Sequence, residues 1–86
     1  MSKALAQQYI ENAADQFGVS IADIMSKTRK QCAADARAVA QWACYNRANV
    51  KSVAIAKIWK SAESSVCHNR QKVSRHKVLL QIAKEL

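Results

Sequence analysis

At 86 residues the chain has room for one domain and not for two cores, and with no Pro, a single Gly and half its residues apolar it predicts an all-α fold. Its formal charge of +8 is unevenly placed: before position 27 Lys3 faces Glu11, Asp15 and Asp23, a net of −2, whereas from Lys27 onward 13 bases face three acids, a net of +10. The basic part suits a polyanion, nucleic acid being the commonest in the cytosol, while no apolar run approaches the ~20 residues of a membrane span and the opening MSKALAQQYIENAADQF lacks the layout of a signal peptide.

A first helix is predicted over residues 3–17, where Leu5, Tyr9, Ala13 and Phe17 share a stripe and Gly18 supplies the stop. Ser20 caps a short second helix, with Asp23 three residues on and Ile21, Ile24 and Met25 as its apolar side. The run SKTRKQ, residues 26–31, is a basic loop carrying Lys27, Arg29 and Lys30 and no apolar member. A third helix, residues 33–47, shows a narrow face of Ala36, Val39, Ala40, Ala43 and Cys44 suited to close packing. Trp42 falls off that stripe, either covering the edge of the core or offering a ring to a partner.

Asn49 is placed to cap a fourth helix running from Val50 to Trp59, with Val50, Val53, Ala54 and Ile58 inward. A turn at Lys60 and Ser61 leads to a fifth helix from Ala62 to Val73. Two short helices across a tight turn, braced by the third, form a helix-turn-helix, here without a Gly in the turn. The last helix, SRHKVLLQIAKEL, closes the core with Val78, Leu79, Ile82 and Leu86, giving a single small domain of about six helices.

No catalytic set emerges, since neither His68 nor His76 has an orienting partner in the sequence and the carboxylates are scattered. There is no Gly-rich phosphate loop with a Lys and a hydroxyl, so neither nucleotide binding nor ATPase activity is expected. Cys32, Cys44 and Cys67 are odd in number, which predicts free buried thiols, and the adjacent Cys67 and His68 cannot comfortably share one metal ion. No cofactor is implied.

The fifth helix is more telling. If it is a recognition helix, Glu63, Ser64, Ser65 and His68 read base edges in the major groove; otherwise Ser61 and Ser64 cap it and the rest is solvated surface. In the basic loop an arginine suits a narrow minor groove, whose negative potential favours a thin planar cation, although Lys27, Arg29 and Lys30 can equally neutralise phosphates.

The stretch FGVSIADIMSKTRKQCAADARAVAQWACYN, residues 17–46, followed by SSVCHNRQKV, resembles the C-terminal DNA-binding domain of the bacterial replication initiator DnaA. In that family a short helix ending in a V-A-D-L-L-S-K-R type of run precedes a basic loop, a long Ala-rich helix and a helix-turn-helix whose second helix opens with Asp-His-Thr-Thr-Val. Here SIADIMSKTRK matches the first element without a gap and ESSVCHNRQKV the last. The resemblance implies a Trp-repressor-like helical fold that binds double-stranded DNA as a monomer. By position, Arg29 matches the minor-groove arginine, Arg37 an arginine that holds the DNA backbone, Ser64 and Ser65 the two threonines, and Val66 the buried valine. Glu63 replaces the family's histidine, and the Gly-Gly-Arg-Asp before it shrinks to KSA.

The resulting expectation is a standalone, cytoplasmic double-stranded-DNA-binding protein without enzymatic activity, a transcriptional or replication regulator of bacterial or phage origin. Lys27, Lys30, Arg37, Lys51, Lys60 and Lys72 would anchor phosphates, Arg29 enter the minor groove, and Glu63, Ser64, Ser65 and His68 face the major groove. Two other readings stand beside it: a sequence-tolerant nucleoid-type binder, and an interaction module that takes a protein partner or a second copy through Trp42 and the acidic first helix.

Overall fold

The computed structural model describes residues 2–28 and 30–86, with side chains from residue 4 onward. Its described residues form six helices and no strand: α1 Ser2–Phe17, α2 Ile21–Met25, α3 Gln31–Arg47, α4 Ser52–Trp59, α5 Glu63–Arg75 and α6 Lys77–Glu85.

Each boundary has a local cause. Gly18 takes φ 65, and the Val19 N–H reaches back to Ala14 O at 3.1 Å, closing α1 through a left-handed residue. Ser20 Oγ accepts from Asp23 N–H at 3.0 Å and so caps α2 as the sequence predicts. Asn49 departs from its expected role. It has φ 57 and terminates α3 instead of starting α4, whose N-cap is Lys51. Asn tolerates that left-handed geometry at modest cost. At the end of α4, Lys60 itself takes φ 52, with its N–H on Lys57 O at 3.2 Å and the Ser61 N–H on Ala56 O at 2.9 Å. This pair of bonds turns the chain between α4 and α5 without a Gly.

The Ala-rich α3 is the axis of the molecule. Ala33, Ala36, Ala38, Val39, Ala40, Ala43 and Cys44 are all fully buried, more of its circumference than the single narrow face predicted, because α1 and α5 pack on different sides of it. Small side chains let those neighbours approach closely. One core cluster joins α1 to α4 and Val66 of α5; a second, Ala38, Val39, Val73, Leu79 and Ala83, joins α3, α5 and α6. Trp42 is half-buried and touches both clusters, so its ring covers the seam between them. Of the cysteines only Cys44 is buried, with its thiol pushed up to about 12 by desolvation; Cys67 is half-buried and Cys32 exposed.

Four predicted inward residues face out, among them Ile21 of α2, 41% exposed beside the fully buried Ile24. Leu5 is 44% exposed because α1 buries Ala6, Tyr9, Ile10, Ala13 and Ala14, a face rotated by one residue and better matched to the small surface of α3. Val53 is 50% exposed because α4 begins at Ser52 and turns Ile55, Ala56 and Trp59 inward. Val78 is 61% exposed at the first turn of α6, leaving Leu79 and Ala83 as its buried anchors. Each fully buried isoleucine, Ile24 and Ile55, contributes about 1.5 to 3 kcal/mol relative to exposure.

Candidate nucleic-acid interface

The loop between α2 and α3 is shaped by its own hydroxyls. Ser26 Oγ donates to Asp23 O at 2.9 Å and accepts from the Thr28 N–H at 3.2 Å, and Thr28 Oγ1 accepts from the Lys30 N–H at 3.4 Å. Such turns hold a backbone without apolar anchors, and they leave Lys27 and Lys30 exposed. Arg37 of α3 ties the loop down: Nε donates to Ile24 O at 2.9 Å, and Nη2 to Asp23 O at 3.2 Å and Thr28 O at 3.3 Å. Partial burial pulls the Arg37 pKa below its ordinary value, and the three carbonyl dipoles offset that desolvation. Trp59, at the end of α4, donates its indole N–H to the same Ile24 O at 3.1 Å. The end of α2 is therefore bound both to α3 and to the first helix of the helix-turn-helix.

Polar contacts also set the roll of α5. Gln41, 1% exposed, accepts at Oε1 from Asn69 Nδ2 at 2.8 Å. Further along, Lys72 pairs with Asp35 of α3 at 2.8 Å. Burial raises the Asp35 pKa, but hydrogen bonds from Lys72 and Gln31 and the charges of Lys72 and His76 outweigh it, so the carboxyl titrates below its ordinary value. On the other flank the Arg70 guanidinium lies 3.3 Å from the centroid of the Tyr45 ring, and its Nη1 donates to Ser52 Oγ at 3.0 Å. Val66 and Val73 are fully buried between these polar ties.

Loop, α3, turn and α5 together enclose an open cleft of about 670 Å³. Ser26 and Lys27 line it from the loop, the buried Gln41 and Trp59 and the half-buried Arg37 from the protein interior, and Ser64, Ser65 and His68 from α5. Ser61 lines it too. Ser61 does not cap α5, whose N-cap is Ala62 without a side-chain bond, and its Oγ is buried with no hydrogen-bond partner among the described residues. A short helix, a hydroxyl-shaped basic loop, a long central helix and a helix-turn-helix thus converge on one polar, cation-bearing face.

A family model described as the bacterial dnaA protein helix-turn-helix matches residues 7–73. The chain belongs to this family. No curated protein and no solved structure matches it. The match runs from α1 through most of α5, and it makes this DnaA-type helix-turn-helix a DNA-binding domain. Among the described residues no helix is long and apolar enough to cross a membrane.

Of the residues singled out in the sequence, this DnaA-type domain brings Lys27, Arg37, Ser64, Ser65 and His68 to one cleft. Lys30, Lys51, Lys60 and Glu63 are exposed but outside its lining. Arg29 lies outside the described residues. Two of these cations have protein partners. Arg37 was expected on the DNA backbone, yet three of its bonds go to protein carbonyls. Lys72, expected at a phosphate, pairs with Asp35 at 2.8 Å. The sequence pattern does not single out Trp59 or Gln41, whereas Asn69 stands where the family has a small inward residue and here meets Gln41. Gln41 did leave a signal in the sequence, as a polar residue between Ala40 and Ala43 in a helix whose neighbouring positions are small and apolar.

Proposed function

We propose that this chain is a sequence-specific regulator of transcription or replication, of bacterial or phage origin, that acts in the cytoplasm and engages double-stranded DNA with the basic loop and α5 at once. The observation that carries the reading is the placement of Lys27 of the loop and Ser64, Ser65 and His68 of α5 around one cleft. Adjacent minor and major grooves present that same pair of surfaces to a protein.

In this arrangement Arg29 enters the minor groove, Ser64, Ser65 and His68 meet base edges in the major groove, and Glu63 accepts from an amino group such as cytosine N4. Lys27, Lys30, Lys51 and Lys60 neutralise phosphates, and Arg37 supports the loop from behind. Trp42 covers the core seam, so the reading needs no second subunit.

Selection from a randomised duplex pool at about 0.15 M salt tests this, because non-specific attraction is already screened there. The expected result is an enriched motif. In Arg29→Ala affinity for that motif falls by about 1 to 3 kcal/mol and the base preference at one end relaxes. Retention of DNA without enrichment would make the chain a sequence-tolerant binder; no retention would turn attention to a protein partner.

A further inference from the structure

α5 presents to solvent a stripe that its sequence positions alone did not bring forward. Ser64, His68, Gln71 and Arg75 recur at helical spacing on one face, and all four are exposed. Glu63, Ser65 and Ser74 flank the stripe and are exposed too, whereas the remaining polar positions with side-chain bonds face the body of the domain. Val66 and Val73 are buried, Asn69 is bonded to Gln41, Arg70 to Ser52 and Tyr45, and Lys72 to Asp35. None of the four outward side chains has a hydrogen-bond or salt-bridge partner among the described residues.

The stripe is also a ridge. Ser64 and His68 stand at the cleft described above, while Gln71 and Arg75 border a second hollow of about 240 Å³ on the other flank of α5. A helix about 10 to 12 Å across, standing proud between two hollows, fits a major groove about 12 Å wide.

We infer that Gln71 is a further base-reading residue of this domain, with adenine as its target. The inference rests on the DNA-binding reading above. A Gln side chain offers one acceptor and two donors on a single amide plane, the complement of adenine N6 and N7. Lys72, the neighbouring residue with a longer and charged side chain, is held by Asp35, and Gln71 is the exposed amide of that turn. From Ser64 to Gln71 the helix rises about 10 Å, so Gln71 faces a base about three pairs away from the one that Ser64 meets.

The test is selection of the wild type, Gln71→Ala and Gln71→Glu from one randomised duplex pool, with the melting temperature of each protein measured alongside. The wild-type motif is expected to contain an adenine that Gln71→Ala alone ceases to select, with about tenfold weaker binding to the wild-type site. Gln71→Glu keeps the shape but replaces the amide donors with an acceptor, and it is expected to shift that one position toward cytosine. Melting temperatures stay unchanged, since the side chain is exposed and unpaired. An unchanged motif in both variants, or an even loss of preference at all positions, overturns the role of Gln71 while leaving DNA reading intact. Absence of any motif for the wild type overturns both.

Discussion

Arg37 sends its Nε and Nη2 donors to the carbonyls of Asp23, Ile24 and Thr28, so its charge holds the basic loop in place from behind. Replacing it with Gln leaves the Thr28 carbonyl without that donor, whereas Asp23 O keeps the Ser26 hydroxyl and Ile24 O keeps the indole N–H of Trp59. The expected cost is about 1 to 3 kcal/mol of unfolding free energy, measured by urea titration. DNA affinity should fall with it, because the loop is no longer positioned. The slope of log K against log salt should stay the same. A drop of about one unit in that slope would show that Arg37 contacts a phosphate directly. A basic residue in an Ala-rich helix is legible in the sequence; its partners are not, because they are backbone carbonyls on a segment that only tertiary packing brings within reach. Lys72 teaches the same lesson. Its pairing with Asp35, between side chains 32% and 18% exposed, is worth about 1 kcal/mol or less, and it joins two helices that the sequence alone does not bring together.

At the scale of elements, α5 is oriented by its contacts with α3 and α4 more than by its own periodicity. The Gln41–Asn69 bond is the most buried of these polar ties. Asn69→Leu strands the Gln41 oxygen in the interior and should destabilise the domain by about 1 to 3 kcal/mol. Adding Gln41→Leu removes the stranded group and should restore most of that loss. Denaturant titrations of the two single variants and the double variant form the cycle that checks it, and strictly additive losses would mean that the pair does not act as a unit. The six helices themselves were legible, since their stops and caps at Gly18 and Ser20 are local signals. Their rotations were less so. Leu5, Val53 and Val78 fit the apolar period as well as the residues that are buried, and the choice between neighbouring stripes is made by the shape of the partner helix. The turn at Lys60 shows the converse, a left-handed residue that the sequence does not mark with a Gly.

Across the whole molecule, the charge asymmetry becomes a basic surface only in part, because Arg37, Arg70 and Lys72 each send at least one side-chain donor to a protein group. Lys27, Lys30, Lys51 and Lys60 stay exposed. Lys51→Ala and Lys60→Asn, the latter keeping a residue that tolerates φ 52, should weaken cognate and random DNA alike and each reduce the salt slope by about one unit. Binding isotherms over a series of salt concentrations measure this, and an unchanged slope would remove that lysine from the interface. Composition and periodicity by themselves determined the helical class, the number of helices and the hydroxyl-rich basic loop, and the stretches SIADIMSKTRK and ESSVCHNRQKV carry the resemblance to the initiator family. These are properties of short stretches of chain, where capping, helix propensity and apolar spacing act over one or two turns. Which cations have protein partners, and which face of α5 points outward, were decided only by the tertiary structure, because a donor's surroundings depend on the carbonyls, carboxylates and rings that packing places beside it.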